Sequence, residues 1–450
     1  MNKIITIILF LLFVGTTNGH AQSYEFSLDQ AVSFAKDSSY AALNARRDIA
    51  IAIKKKWETT ATGLPQINGS INYNNNLKQP VTLIPGEITG GAPGTYTPVV
   101  FGTEQNATAQ ATLDQLIFDG SYLVGLKAAK TFLDFSKNAL EKTQTEVEKS
   151  VVNAYVSVLT MDALVAVFEN NQATLEAALN ELKIVYANGM AEQEQLEQLE
   201  ITLLEVDSYR KNASRSQRIA RDMLKASLGL ALDASLTLTD PLEAIVLSAE
   251  AQSQSLPQFE LEQYIDYKIA ENFTTQRQLE WLLERSRALP SVSAFMNYST
   301  QAFRSDFSFT EASEPWFQSS MLGLRIKLPL FSSGLRGARS LQAKIAYEQA
   351  QTDFIQSKQS IIMAFNAAES AYALNQDTFK NAEKSLVLAE RIAQKNQIKF
   401  NEGLASSFEQ HQANAQLYQA QQAYYQSLLA LVNAKTLRDT FLSKTLSNKK

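Results

Sequence analysis

The sequence predicts a mainly α-helical chain with a membrane β-barrel sector, one unit written twice. Three observations carry this. Long proline-free stretches hold apolar residues at helical spacing, four short segments alternate polar and apolar residues, and both patterns recur in the same order in each half. The chain has 450 residues and a formal net charge of −5. That mildly acidic balance gives no electrostatic footprint for nucleic acid. It has no cysteine. Disulfides, thiolate zinc sites, cysteine nucleophiles and a lipid on an N-terminal Cys are therefore excluded.

In chain order, residues 1–21 read as a secretory signal peptide. Lys3 is basic, Ile4 to Val14 is almost wholly apolar, and Gly19 and Ala21 are small residues before the expected cut. The apolar run is too short to span a bilayer, and no other segment approaches the ~20 apolar residues of a membrane helix. Residues 22–62 are expected to form N-terminal helices. In that stretch Lys54, Lys55 and Lys56 read as a solvated helix face.

Residues 63–120 and 288–333 are each expected to form a β-hairpin. "LPQINGSINYN" and "LPSVSAFMNYS" open them, the stiff proline marking the change from helix to extended chain. In the first strand Gln66, Asn68, Ser70, Asn72 and Asn74 share a face, with Ile67, Ile71 and Tyr73 on the other. In the second, Thr108, Gln110, Thr112 and Asp114 oppose Ala109, Ala111 and Leu113. In the third, Ser291, Ser293, Asn297 and Ser299 oppose Val292, Ala294, Met296 and Tyr298. In the fourth, Gly323, Arg325 and Lys327 oppose Leu322, Leu324, Ile326, Leu328 and Leu330. One wet and one apolar face, on strands of roughly 9–11 residues, suits a membrane barrel. Four strands cannot enclose a lumen, since even eight leave almost no interior, so the chain is expected to oligomerise. Three copies give twelve strands. Residues 77–106 read as a Pro- and Gly-rich loop, and Phe303, Phe307, Phe309, Trp316 and Phe317 as an interfacial aromatic girdle.

Residues 121–230 and 334–442 are expected to be long helical hairpins. Leu175, Leu179, Leu182 and Tyr186 make one narrow stripe, and Leu196, Leu199, Leu203 and Val206 another. Ile361, Phe365, Ala368 and Tyr372, then Leu417, Tyr424, Leu428 and Leu431, repeat them in the second half. "YANGM" and "FNEGL" interrupt the helices, with Gly189 and Gly403 as natural left-handed residues. A helix from about Tyr122 to Ala187 would run roughly 100 Å. Gly189 and Gly403, Tyr186 and Phe400, and Lys130 and Lys344 share one spacing, which extends the repeat over the whole helical unit. Residues 231–260 read as an equatorial linker, 261–287 as a helix of the second repeat, and 443–450 as a tail.

The ordered duplication, with "LIFDGSYLVGLKAAK", "YANGMAEQEQLEQLEITLLEVD", "LPLFSSGLRGARSLQAK" and "FNEGLASSFEQHQANAQLYQAQQAYYQ", resembles the TolC-like outer-membrane efflux proteins. "SLDQAVSFAKDSSYAALNARRDIAIA" is similar to that family's first helix. The resemblance implies a homotrimer in outer-membrane lipid, a twelve-stranded barrel and a long periplasmic α-helical tunnel. It also implies a passive channel for drugs, toxins, metals or proteins, partnered by a periplasmic adaptor and an inner-membrane transporter, with no cofactor and no nucleic acid. By the same resemblance, acidic residues six and nine positions beyond the second tip glycine line a constriction. Here those are Glu409 and Gln412, of which only the first is acidic. Three Glu409 carboxylates around one axis would favour cations and, as like charges, would take up protons more easily than an isolated Glu. If Glu409 faces outward, the constriction falls to Gln195, Gln198 or Gln412. Gly189, Met190, Gly403 and Leu404 are the expected adaptor contacts. Most of Glu192, Glu194, Glu197 and Glu200 read as surface acids near a helix start. No HExxH, Walker A or GxSxG pattern occurs, and His411 is the only histidine after the signal, so no enzyme is expected. A trimeric coiled-coil stalk or adhesin is the alternative.

Overall fold

The computed structural model describes residues 23–246, 259–311 and 313–442. The signal-peptide reading of 1–21, the tail 443–450 and residues 247–258 of the linker lie outside the described residues. In chain order the elements are β1 (Ser23–Phe26), α1 (Leu28–Ser38), α2 (Tyr40–Ala61), β2 (Gln66–Asn75), β3 (Val81–Pro85), β4 (Tyr96–Val100), β5 (Gln105–Asp119) and α3 (Gly120–Ala187). Then come α4 (Gln193–Leu228), β6 (Ser235–Leu238), α5 (Ile265–Ser286), β7 (Ser291–Arg304), β8 (Phe317–Lys327), α6 (Leu335–Asn401) and α7 (Ser407–Leu442). The chain divides into two compact units, each drawing on both repeats: Met1–Asp48, Lys137–Ile269 and Gln356–Lys450 in the first, Ile49–Ser136 and Ala270–Ile355 in the second.

The first unit is a helical bundle. α1 opens with a capping box, the Ser27 hydroxyl accepting from the Gln30 amide while the Gln30 side chain accepts from the Ser27 amide. α4 ends at Gly229, whose φ of 76° is left-handed and whose missing Cβ would meet the Ser38 carbonyl oxygen at 2.6 Å. The core gathers Ala31, Ala35, Val151, Tyr155, Leu224, Leu228 and Leu428. A second cluster joins Phe168, Leu175, Val206 and Tyr418, and the Phe168 ring stacks on Tyr209 with centroids 5.5 Å apart. The stripes read from the sequence are buried or half-buried except at Tyr186, which is 42% exposed at the hairpin tip. Two features depart from that reading. β1 and β6 pair in parallel, Ser23 opposite Ser235 and Phe26 opposite Leu238, across more than two hundred residues of chain. And α3 holds an 18-residue window of mean hydropathy 1.8, as apolar as a membrane span. Half of it is buried inside the chain, because the run around 151–168 is apolar all round to fill the bundle centre.

The second unit is built on one antiparallel sheet, ordered β2-β5-β7-β8. Its register assigns the faces, since directly paired residues share one. Asn68, Thr112, Asn297 and Met321 form one row of the polar face; Ser70, Gln110, Ser299 and Ser319 form the next. On the other face run Ile67, Leu113, Met296 and Leu322. The alternation expected of all four strands is thus in register. A bulge between Leu116 and Phe118 shifts the side-chain parity of β5, so that Phe118 joins Val292 and Ile326 on the apolar face and Asp119 joins Ser291 on the polar one. β8 stops at Lys327, before Leu328 and Leu330, because Pro329 offers no amide to a ladder.

The loop reading of 77–106 is corrected by a small hairpin, β3 paired with β4. The aromatics read as a girdle do not all share one face. Phe307 and Phe309 fold back edge-on to Tyr73 of the apolar face, with centroids 5.8 and 5.7 Å away. Arg304 ties the turn, donating to the carbonyls of Phe303 and Pro315. Phe303 and Phe317, by contrast, pair with Asn106 and Gln301 on the polar face. Counting every aromatic near the turn misses this, because facing depends on strand parity.

Candidate functional site

Two places hold the residues singled out in the sequence, one in each unit. In the first unit the two hairpin turns close identically. Gly189 and Gly403 have φ of 72° and 75°. Their amides donate to the carbonyls of Tyr186 and Phe400, and the amides of Met190 and Leu404 donate to those of Val185 and Lys399. That is the Schellman pattern, which satisfies the last carbonyls of each helix. Met190 and Leu404 are each 73% exposed, so both tips present an unpartnered apolar residue.

After the second tip comes an element absent from the sequence reading. Ser406 and Glu409 form a capping box at the start of α7. The Glu409 amide donates to the Ser406 hydroxyl at 3.3 Å; the Ser406 amide and hydroxyl donate to Glu409 Oε2 at 2.8 and 3.0 Å. The Ser-x-x-Glu signature stands in the sequence and is the signal that would have found it. The Ser406 amide, then its hydroxyl, holds the Glu409 carboxyl below the usual carboxylate range. Within one chain, hydrogen bonds to the charged form decide the direction; the repulsion expected of a three-carboxylate ring would act against them. The cap's electrostatic support is therefore present above the ordinary Glu range. It is lost as pH falls through the lowered value.

The other tip residues spread along two helices. Gln412 is exposed on α7, and Gln195 is half-buried on α4. Gln198 donates to Glu194 at 3.1 Å, while its own buried Oε1 has no partner. One turn further on, the hydroxyl of Thr202 donates to the Gln198 carbonyl and meets His411 Nδ1 at 2.6 Å, joining α4 to α7. Of the four acids, Glu194 and Glu197 accept from glutamines one turn away and Glu200 lies 3.6 Å from Lys183. They are surface acids, in keeping with their place near the helix start. Among the described residues no group of three or more His, Cys, Asp or Glu could hold a metal.

In the second unit the polar sheet face is the candidate surface. Most of its rows are amides and hydroxyls, several bonded to one another, such as Ser299 with Ser319 at 2.8 Å and Asn297 with Thr112 at 3.3 Å. Among the described residues both outer strands, β2 and β8, keep a free ladder edge. An antiparallel sheet wetted on one face, apolar on the other and open at both edges among the described residues has the pattern of membrane-barrel strands.

The comparisons with known proteins agree. Residues 275–437 match the model of the outer membrane efflux protein family. The fold is that of CusC, a protein solved in forms that bear on its folding and transmembrane channel formation, with a TM-score of 0.73 at 18% identity, covering 92% of this chain and 91% of that one. It is likewise that of the outer membrane protein VceC from Vibrio cholerae, with a TM-score of 0.71 at 15% identity over 92% and 95%. The CmeC outer membrane channel of Campylobacter jejuni gives 0.71 at 15% over 92% and 85%. No curated protein matches the chain in sequence. The family match thus covers residues 275–437, and over nine-tenths of its length the chain shares the fold of these outer-membrane channels.

Proposed function

We propose that three copies of the chain form a passive conduit through the outer membrane. It would export small molecules or proteins with the help of a periplasmic adaptor and an inner-membrane transporter. The observation that carries this reading is the pair of open edges. β2 and β8 each leave a row of amides and carbonyls unpaired on a sheet with an apolar face, which lipid cannot satisfy. Pairing β8 of one copy with β2 of the next removes every edge and continues the polar face around a twelve-stranded lumen. A detergent-stable trimer by light scattering is expected, with ohmic conductance in a planar bilayer. A stable monomer would overturn the assembly. A trimer that carries no current would favour the stalk or adhesin.

The hairpin tips are read as the periplasmic entrance, with Gly189, Met190, Gly403 and Leu404 meeting the adaptor. Glu409, with Gln412, Gln195 and Gln198 nearby, would line the constriction. A trivalent hexaammine cation added from the tip side is expected to block the pore, less so at high salt. Glu409→Gln is expected to remove most of the block and leave assembly intact. Because the Ser406 cap lowers the Glu409 pKa, block should persist to a pH below the ordinary Glu range before it fades. Equal block in both proteins would place Glu409 outside the constriction.

A further inference from the structure

We propose that Arg325, with Lys327 one row behind, is a contact site on the polar sheet face for planar anionic molecules, and that it biases the pore toward such cargo. The proposal rests on the conduit reading. Its starting point is where charge sits on that face. The rows toward the loop turns are uncharged, carrying residues such as Asn68, Thr112, Ser70 and Gln110. Charge is confined to the rows next to the helices, where Asp114, Asp119, Arg325 and Lys327 lie.

Within these rows Asp119 is hydrogen-bonded, whereas Arg325 has only a loose ion-pair neighbour. Asp119 accepts from the amides of Ser121 and Tyr122 and so starts α3. Asp114 lies 3.8 Å from Arg325, too far for a hydrogen bond. Among the described residues neither Arg325 nor Lys327 makes a side-chain hydrogen bond, and the Arg325 side chain is 64% exposed. All its side-chain N–H donors are thus open to a ligand.

The guanidinium is nonetheless positioned. Its Cζ sits 4.9 Å from the centroid of the Phe295 ring. Phe295 is the one aromatic among the polar-face residues of the middle rows, and its ring lies across Gly323 of the neighbouring strand. A Cβ at Gly323 would come within 2.6 Å of the ring's Cζ, so the strand needs glycine there for the ring to lie down. Phe295 is therefore a shelf. The shelf holds the cation by its ring face and consumes none of its donors. A planar, weakly hydrated fork of this kind pairs with carboxylate, sulfonate or phosphate through two parallel hydrogen bonds. The aromatic surface beside it adds contact for a flat body. The chain as a whole is acidic, so this cationic spot is local.

The test uses the full-length protein in planar bilayers under a KCl gradient, with 2-naphthalenesulfonate as the probe. Wild type is expected to be blocked at submillimolar probe. Arg325→Gln should weaken block by tenfold or more and move the reversal potential toward cation preference. Arg325→Lys should keep the reversal potential but lose most of the block, since it keeps the charge and not the fork. Asp114→Asn, which leaves Arg325 in place, should strengthen block several-fold. Conducting wild type without block would overturn the proposal. So would block unchanged in both Arg325→Gln and Asp114→Asn, leaving the cluster as a clamp between strands. If wild type forms no pore at all, the conduit reading itself fails, and this proposal with it.

Discussion

Leu324→Arg is expected to keep the protein out of the outer membrane, whereas Arg325→Leu, one residue along, should insert and assemble normally. The two positions sit on opposite faces of β8. Leu324 pairs with Ala294 and lies on the apolar face beside the row of Ile67, Leu113, Met296 and Leu322; Arg325 pairs with Ser293 on the polar face. An arginine facing lipid near the bilayer midplane costs ~2–4 kcal/mol, and a trimer carries three. Native Arg325 faces the wet side, so its loss changes the lumen's charge and leaves the lipid contact untouched. The amount of heat-modifiable trimer in the outer-membrane fraction reads both variants. If their effects were exchanged, the register of β8 would be off by one residue.

The second large effect is expected in the helical bundle. Tyr155 is fully buried where β1, β6 and the core meet. Its hydroxyl donates to the Phe26 carbonyl at 3.0 Å and accepts from the Asp240 amide at 3.3 Å. Burial pushes its phenol pKa up, so it stays a donor throughout the physiological range. Tyr155→Ala leaves a cavity the size of an aromatic ring and should cost about 3–5 kcal/mol. Tyr155→Phe keeps the ring and should cost about 1–3 kcal/mol, for the unpaired Asp240 amide. The Phe26 carbonyl suffers less, because it also accepts from the Thr239 amide. Helix unfolding in detergent followed by circular dichroism should rank wild type above Tyr155→Phe, and Tyr155→Phe above Tyr155→Ala. Equal melting of the last two would mean that the ring packs on nothing that matters.

The reason these effects differ also separates what is legible in the sequence from what is not. Periodicity reports which face of an element is apolar, and it does so for β2, β5, β7 and β8 and for the stripes of the long helices. Glycine reports local backbone, and Gly189 and Gly403 mark the two tips. Both signals are carried by neighbours within a turn or two of chain, where one residue's environment follows from the next. The capping box of Ser406 and Glu409 belongs to the same class, since its Ser-x-x-Glu signature is local. Its consequence is a lowered Glu409 pKa, where repulsion alone predicts easier protonation.

Other features depend on residues far apart in the chain. The parallel pairing of β1 with β6 leaves no local pattern, because four residues of strand look like any short extended segment. The apolar stretch around 151–168 cannot be told from a membrane span by composition alone. Its neighbours in the bundle, Leu224, Leu228 and Leu428, are what make it core. Phe295 is an exception in a polar strand until Gly323 is placed opposite it and Arg325 one row away. By itself the sequence determined the duplicated unit, the long helices and the four strands of the main sheet, the alternation along each strand and the family resemblance, all of which arise from short-range periodicity and order. Only the tertiary structure decided which strands adjoin, where the bulge in β5 reverses its faces and which charges meet. Those depend on register, and a side-chain period of two lets a single-residue shift send every side chain to the other face.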